Sequence, residues 1–120
     1  MASSGRLTTH VLDTSSGKPA AGLRIELFRI HAESRESLAA QMTNDDGRTD
    51  KPMLAGDDFT PGDYELVFNV GDYFRRSGLQ SEAFPFLNVV PVRFGLADAD
   101  AHYHVPLLVA PFAYSTYRGS

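Results

Sequence analysis

DYELVFNV, residues 63–70, alternates with a period of two. Successive side chains of an extended strand point to opposite faces. Tyr64, Leu66, Phe68 and Val70 therefore share one face, and Glu65, Val67 and Asn69 the other. Turn-formers bound the stretch, PMLAGDDFTPGD (52–63) running into it and RRSG (75–78) after it. Working outward, RLTTHVLD (6–13), GLRIELFRI (22–30), SLAAQMT (37–43), FLNVVPVRF (86–94), AHYHVPLLVA (101–110) and FAYSTY (112–117) read as further strands. Leu23, Ile25, Leu27 and Arg29 share a face of the second of these. SSGKPAAG (15–22), NDDG (44–47) and GLADAD (95–100) are turn-like. Several short strands at this spacing predict an all-β sandwich or barrel. Pro91 and Pro106 fall inside strand-like runs, and a proline removes a ladder donor. Each should mark an edge, a bulge or a strand boundary. Only VGDYFRRSG (70–78) suits a helix, of about two turns.

A chain of 120 residues fits one domain, spanning 1–120. The net charge of −4, without a basic run, argues against nucleic acid, whose phosphates need clustered Lys and Arg. With no cysteine, disulfides, thiolate catalysis and Cys-based zinc sites are excluded. MASSGRLTTH has no apolar core of a secretory leader, no run approaches the ~20 apolar residues of a membrane span, and the terminal RGS is not a peroxisomal address. No membrane partner is expected, and the cytoplasm is the expected location. A leader removed before residue 1 would allow the periplasm or a peroxisome.

Four polar features stand out from the turns: His10 within TTHVLD, Arg48 at the end of NDDGR, the pair His102 and His104 in HYHV, and the tail YSTYRGS (114–120). Each has an ordinary reading, as a hydrogen-bonded strand histidine, a solvated turn arginine or a frayed end. HYHV puts two imidazoles on one strand face, and His10 as a third ligand would make a three-histidine zinc site. No HExxH motif accompanies them, and no G-x-S-x-G elbow supports a serine hydrolase. Together, a histidine can take a proton from water and a second can return one to a leaving nitrogen. Arginine's planar fork suits a planar imide or ureide edge. The chemistry these residue types favour is metal-free hydrolysis of a small heterocyclic amide, with no cofactor.

LTTHVLDTSSGKPAAGL, TNDDGR, PGDYELVF, the Phe84–Pro85 pair and HYHVPLLVAPFAYSTYRGS together span nearly the whole chain. On these stretches, and above all on the closing YRGS, the sequence resembles the 5-hydroxyisourate hydrolases, the transthyretin-related enzymes of urate breakdown. The resemblance implies a transthyretin-like two-sheet β-sandwich of about eight strands with one short helix. It also implies a homotetramer built as a dimer of dimers, with sites at the dimer–dimer interface. By motif, His10, Arg48 and His104 are the implied catalytic trio, His10 and Arg48 also binding substrate. Tyr117 is the implied tail contact, with Ser115, Thr116, Arg118 and Ser120 nearby and His102 a neighbour of the trio. The implied reaction opens 5-hydroxyisourate at the amide between N1 and C6, giving 2-oxo-4-hydroxy-4-carboxy-5-ureidoimidazoline. Which histidine is the base stays open.

Competing readings differ in what they require. A non-catalytic carrier of the transthyretin kind needs an open apolar channel, which His10, Arg48, His104 and YRGS would fill with polar groups. An extracellular adhesion module is disfavoured by the absence of cysteine, leader and linker. A metal hydrolase would be exposed by chelation with EDTA and metal analysis.

Overall fold

The computed structural model describes residues 4–119. Nine strands and one helix follow in order: β1 Arg6–Asp13, β2 Lys18–Pro19, β3 Arg24–Ile30, β4 Arg35–Met42, β5 Leu54–Ala55, β6 Gly62–Phe68, α1 Val70–Arg76, β7 Val90–Leu96, β8 His102–Ala110 and β9 Ala113–Thr116. They form two sheets, one ordered β2-β1-β8-β9 with β5 also on β1, the other β4-β3-β6-β7. The fold is the expected all-β sandwich. The strands the sequence pattern passes over are the two-residue pieces β2 and β5, too short to show periodicity.

Every pairing is antiparallel except β1 with β8. That parallel pair sets Arg6 opposite His102, Thr8 opposite His104 and His10 opposite Pro106. It brings the first strand of the chain beside the penultimate one. The inward faces close on one core: Leu7, Val11, Leu107 and Val109 from one sheet meet Ile25, Leu27, Leu66 and Phe68 from the other, all fully buried. The register of β1 follows from this packing, since a one-residue slip would carry its apolar set to the outside. The alternate residues Thr8, His10 and Leu12 therefore face outward and stay half-buried.

The opening stretch behaves as its pattern predicts up to Phe68. Tyr64, Leu66 and Phe68 are fully buried, but Val70 already belongs to α1. Its second face is covered too: Val67 is buried there, and arginine side chains from β4 and β7 reach across to Glu65. Glu65 is 8% exposed there, held by Arg93 at 3.1 Å and Arg35 at 3.6 Å. The run 86–94 becomes strand only from Val90, the partner of Phe68, where β6 ends. Ahead of it, the Asn88 carbonyl accepts the Gly71 amide at 2.8 Å and ties the segment to α1.

The two prolines take different positions. Pro91 lies on the edge strand β7, where a missing donor costs little. Pro106 lies within β8, an inner strand. The β8–β9 ladder runs to Leu107 opposite Thr116, and a bridge in the same register pairs His104 with Gly119. Pro106 interrupts that ladder where its own N–H would have stood. No helix among the described residues is long and apolar enough to cross a membrane.

Candidate active site

The outer edge of β1 is occupied in three places. β5 pairs at Arg6 and Leu7, β2 at Leu12 and Asp13, and between them His10 bridges to Arg48. The turn carrying Arg48 is built by Asn44. Its side-chain oxygen accepts the Asp46 amide at 2.9 Å and the Arg48 amide at 3.2 Å, and its carbonyl accepts the Gly47 amide at 2.9 Å. The Val11 amide then donates to the Gly47 carbonyl at 2.8 Å, docking the turn on β1. Gly47 is required on two counts: φ is +74°, and an added Cβ would sit 2.4 Å from the Val11 carbonyl oxygen.

Directly opposed residues of a sheet share a face, with strands about 4.8 Å apart. One row across the sheet reads Arg48, His10, Pro106 and, continuing the register of β8 with the tail, Tyr117. The adjacent row reads Thr8, His104 and Gly119. Arg6 and His102 form the next row. The structure thus gathers His10, Arg48 and His104 on the outer face of one sheet from three separate segments.

Hydrogen bonds hold this face. Thr8 Oγ1 is 2.8 Å from His104 Nδ1 and 2.7 Å from His102 Nε2. The Gly119 amide donates to the His104 carbonyl at 2.7 Å. A Cβ on Gly119 would come within 2.7 Å of His104 Cδ2, so the tail packs its backbone against the imidazole. Beside these groups lies an open cavity of about 410 Å³, bordered by Arg48, Thr8, His102, His104, Arg6 and Lys51 among others.

All three histidines of the face are poised to be neutral at pH 7. Burial lowers the His104 pKa, and the Arg48 guanidinium, His102 and His10 lower it further. Burial and then Arg48 lower that of His10, against a hydrogen bond to the Asp46 backbone carbonyl and the Asp46 charge. Burial and Arg6 lower that of His102. A neutral imidazole offers a lone pair to a proton, and a guanidinium beside it offers paired donors to an oxyanion.

The tail residues divide. Ser115 stands opposite Leu108, on the same face as the histidines. Thr116 and Arg118 fall on the alternate face. Thr116 Oγ1 donates to the Pro106 carbonyl at 2.7 Å, and the Arg118 guanidinium lies 4.0 Å from the centre of the Tyr103 ring. Tyr117 is exposed and also borders an apolar cavity of about 400 Å³ at the sandwich edge, with Val92, Phe94, Tyr103 and Arg118. Ser120 lies outside the described residues. The residues the sequence argument missed are Thr8, Arg6 and Lys51. Thr8 carried a usable signal, since it shares a strand face with His10 at a spacing of two, as His102 does with His104. Among the described residues, no three His, Cys, Asp or Glu side chains converge so as to hold a metal ion.

A two-sheet sandwich with a parallel β1–β8 pair at the heart of one sheet, and a polar cluster on that sheet's outer face, is a transthyretin-like protein. The family model described as "HIUase/Transthyretin family" matches residues 7–119, and the chain belongs to that family. It is 61% identical over 118 residues to the 5-hydroxyisourate hydrolase of Halalkalibacterium halodurans, covering 98% of this chain and 99% of that one. The solved 5-hydroxyisourate hydrolase of Klebsiella pneumoniae superposes with a TM-score of 0.80 at 36% identity, over 97% of this chain and 99% of that chain. A solved (S)-allantoin synthase superposes with a TM-score of 0.92 at 48% identity, over 98% of this chain and 44% of that longer chain.

Proposed function

We propose that this protein is a 5-hydroxyisourate hydrolase of urate breakdown, opening the ring at the N1–C6 amide to give 2-oxo-4-hydroxy-4-carboxy-5-ureidoimidazoline. The observation that carries the reading is the convergence of His10, Arg48 and His104 on one sheet face, through a backbone bridge and adjacent rows. The high identity over full length to proteins named for this activity supports it.

In this reading the planar substrate lies against the Arg48–His10–Pro106–Tyr117 row, with His104 beside it. A neutral histidine, His10 or His104, takes a proton from water as its oxygen attacks C6. The Arg48 guanidinium holds the heterocycle and carries the oxyanion that forms. Collapse of the tetrahedral intermediate breaks the C6–N1 bond, and the nitrogen leaves with the proton the histidine returns. Tyr117 and its tail neighbours close the site. Removing water from around these charges strengthens each interaction.

The outer face is open in one chain, and the site reads as completed by assembly into a dimer of dimers, with four sites at the dimer–dimer interface. The carrier reading is less well supported, because imidazole and guanidinium groups would have to be desolvated by an apolar ligand. The cytoplasm is the proposed compartment and suits a chain that needs no disulfide.

The direct test generates 5-hydroxyisourate from urate with urate oxidase and follows its absorbance decay. Acceleration over the spontaneous decay is expected, and no acceleration would end the enzyme reading. A folded His104→Asn variant with full turnover would remove His104 from the mechanism.

A further inference from the structure

One side chain at the centre of this face, Thr8, has no part in the reaction as set out above. Its hydroxyl oxygen touches two imidazoles at once, His102 Nε2 at 2.7 Å and His104 Nδ1 at 2.8 Å. The ring centres sit 6.1 Å apart at 61°, and the hydroxyl contacts both rings. A hydroxyl has one proton, and a neutral imidazole has one N–H. A continuous chain forms when one ring donates to Thr8 Oγ1 while the other accepts from it. The chain has two arrangements. In one, His104 Nδ1–H donates to Thr8, Thr8 donates to His102 Nε2, and His104 Nε2 is left bare as a proton acceptor. In the other, both bonds reverse and His104 carries its proton on Nε2 as a donor.

We propose that Thr8 and His102 are positioning residues that complete a proton relay behind His104, with the Thr8 hydroxyl as bridge and His102 as the terminal acceptor. The proposal rests on the hydrolase reading and deepens it, because it selects His104 over His10 as the ring that deprotonates water. The proton count balances. The water oxygen bonds to C6 and its proton passes to His104 Nε2. The Nδ1 proton of His104 moves to Thr8 Oγ1, and the proton Thr8 held moves to His102 Nε2. The positive charge rests on His102 and the negative charge on the substrate oxygen. Reversal through the same three groups returns a proton to Nδ1 of His104, as the water-derived proton on Nε2 passes to the departing nitrogen.

The advantage lies in where the cation is held. His104 is half-buried and faces Arg48, His10 and His102, all of which disfavour a second positive charge. The exposed His102 has water around it and only Arg6 as a charged neighbour acting on it. Moving the charge out by one hydroxyl spares His104 the desolvation cost of an imidazolium. The geometry is also rigid. The β1–β8 register sets Thr8 against His104, and the Gly119 backbone blocks the ring from swinging aside. Around the relay, the charged or titratable groups are Arg6 on β1, His10 on β1, and Arg48, Asp50 and Lys51 on the turn side.

The test compares full-length wild type with Thr8→Val, Thr8→Ser and His102→Gln in steady-state hydrolysis of enzymatically generated 5-hydroxyisourate. Each is run in mixtures of H2O and D2O. Thr8→Val keeps the shape and removes the bridge, and should lower kcat by about tenfold or more with KM within about twofold. Thr8→Ser should restore most of the loss, and His102→Gln should resemble Thr8→Val. The wild-type plot of kcat against deuterium fraction should bow, from more than one proton in motion, and that of Thr8→Val should be straight. A folded Thr8→Val with wild-type kcat overturns the relay, as does a straight wild-type plot. Should Thr8→Val fail to fold, exposed His102 is read in its place, and wild-type kcat in His102→Gln is equally fatal. If wild type hydrolyses the substrate and the variants match it, the relay alone fails. If wild type does not hydrolyse it, the hydrolase reading fails and takes the relay with it.

Discussion

Replacing Gly47 by alanine should damage both the fold and the chemistry. The residue has φ +74°, where an L side chain costs about 1–2 kcal/mol. The new Cβ would lie 2.4 Å from the Val11 carbonyl oxygen and 3.1 Å from Pro19 Cβ. That oxygen cannot retreat freely, because it accepts the Ala20 amide at 2.9 Å. The turn must move instead, straining or losing the Val11 amide to Gly47 carbonyl bond of 2.8 Å, which is worth about 1 kcal/mol. Residual overpacking adds about 1–3 kcal/mol. The total is roughly 3–6 kcal/mol. Gly17 supplies the control. Its φ is +75° but nothing lies within 4 Å of an added Cβ, so Gly17→Ala should cost only about 1–2 kcal/mol. Urea denaturation followed by circular dichroism, at equal protomer concentration, measures both. Arg48 follows Gly47 directly and pairs with His10, so a ~1 Å shift of the turn should also cost about 10²-fold in turnover. Equal destabilisation of the two variants, or full turnover in Gly47→Ala, would refute the close-packing argument.

Truncation after Thr116 removes the Gly119 amide bond to His104 and the Arg118 stack on Tyr103 but no core residue, so activity should fall at least about tenfold while the urea midpoint moves little; turnover equal to the full chain would contradict the role given to the tail. The pKa values of His10 and His104 both lie below the usual 6.5, so the acid limb of kcat/KM should lie below pH 6.5, with the active neutral form retained above it. Stability follows the same sign: the unfolded chain binds protons first, so folding weakens as pH falls from 6.5 toward the folded histidine values. A limb at or above pH 7 would be inconsistent with these depressed histidines. Thr43→Val should destabilise by about 2–4 kcal/mol, because Thr43 Oγ1 is buried, accepting the Leu23 amide at 2.9 Å and donating to the Ala20 carbonyl at 2.6 Å; an unchanged urea midpoint would show that those backbone groups find other partners.

The acid limit of stability has its own source in Asp13. Burial alone would raise its pKa, but the Ser15 hydroxyl, the Tyr73 hydroxyl and the Ser15 and Ser16 amides together hold it below its usual value. Burial first, and then the same contact with Asp13, push Tyr73 up to about 12. A depressed carboxylate contributes stability above its unfolded pKa and loses it as pH falls through the folded one. This cluster ties the turn after β1 to α1, and so anchors the strand that carries Thr8 and His10.

Much of the sandwich was legible in local pattern. Tyr64, Leu66 and Phe68 alternate because one face of β6 must be buried, and a period of two survives in any single window of the chain. Asn44, Gly47 and the other turn residues declare their roles through backbone chemistry that acts within four residues. The covered second face of β6 was not legible, because it depends on which strands lie beside it. Pro106 was misleading for the same reason: its tolerated place inside an inner strand exists only because a distant tail pairs there with a gap.

For the site, residue type and motif pointed to His10, Arg48 and His104, since imidazole and guanidinium chemistry belongs to the side chain itself. The two-residue spacing puts Thr8 on the strand face of His10, but its place between two imidazoles comes only from the parallel pairing with β8. His102 and His104 stand 94 and 96 residues away from Thr8 in the chain. The division of the tail likewise needed the β8–β9 register, which sends Ser115 to one face and Thr116 to the other. The amino-acid sequence by itself determined the longer strands, the core-facing side of β6, the turns and the reactive groups, all of which arise from interactions along a short stretch of chain. Only the tertiary structure decided which reactive groups meet, because partner and register are chosen by the packing of the whole core, and one residue of slip would have turned every one of them to the other side.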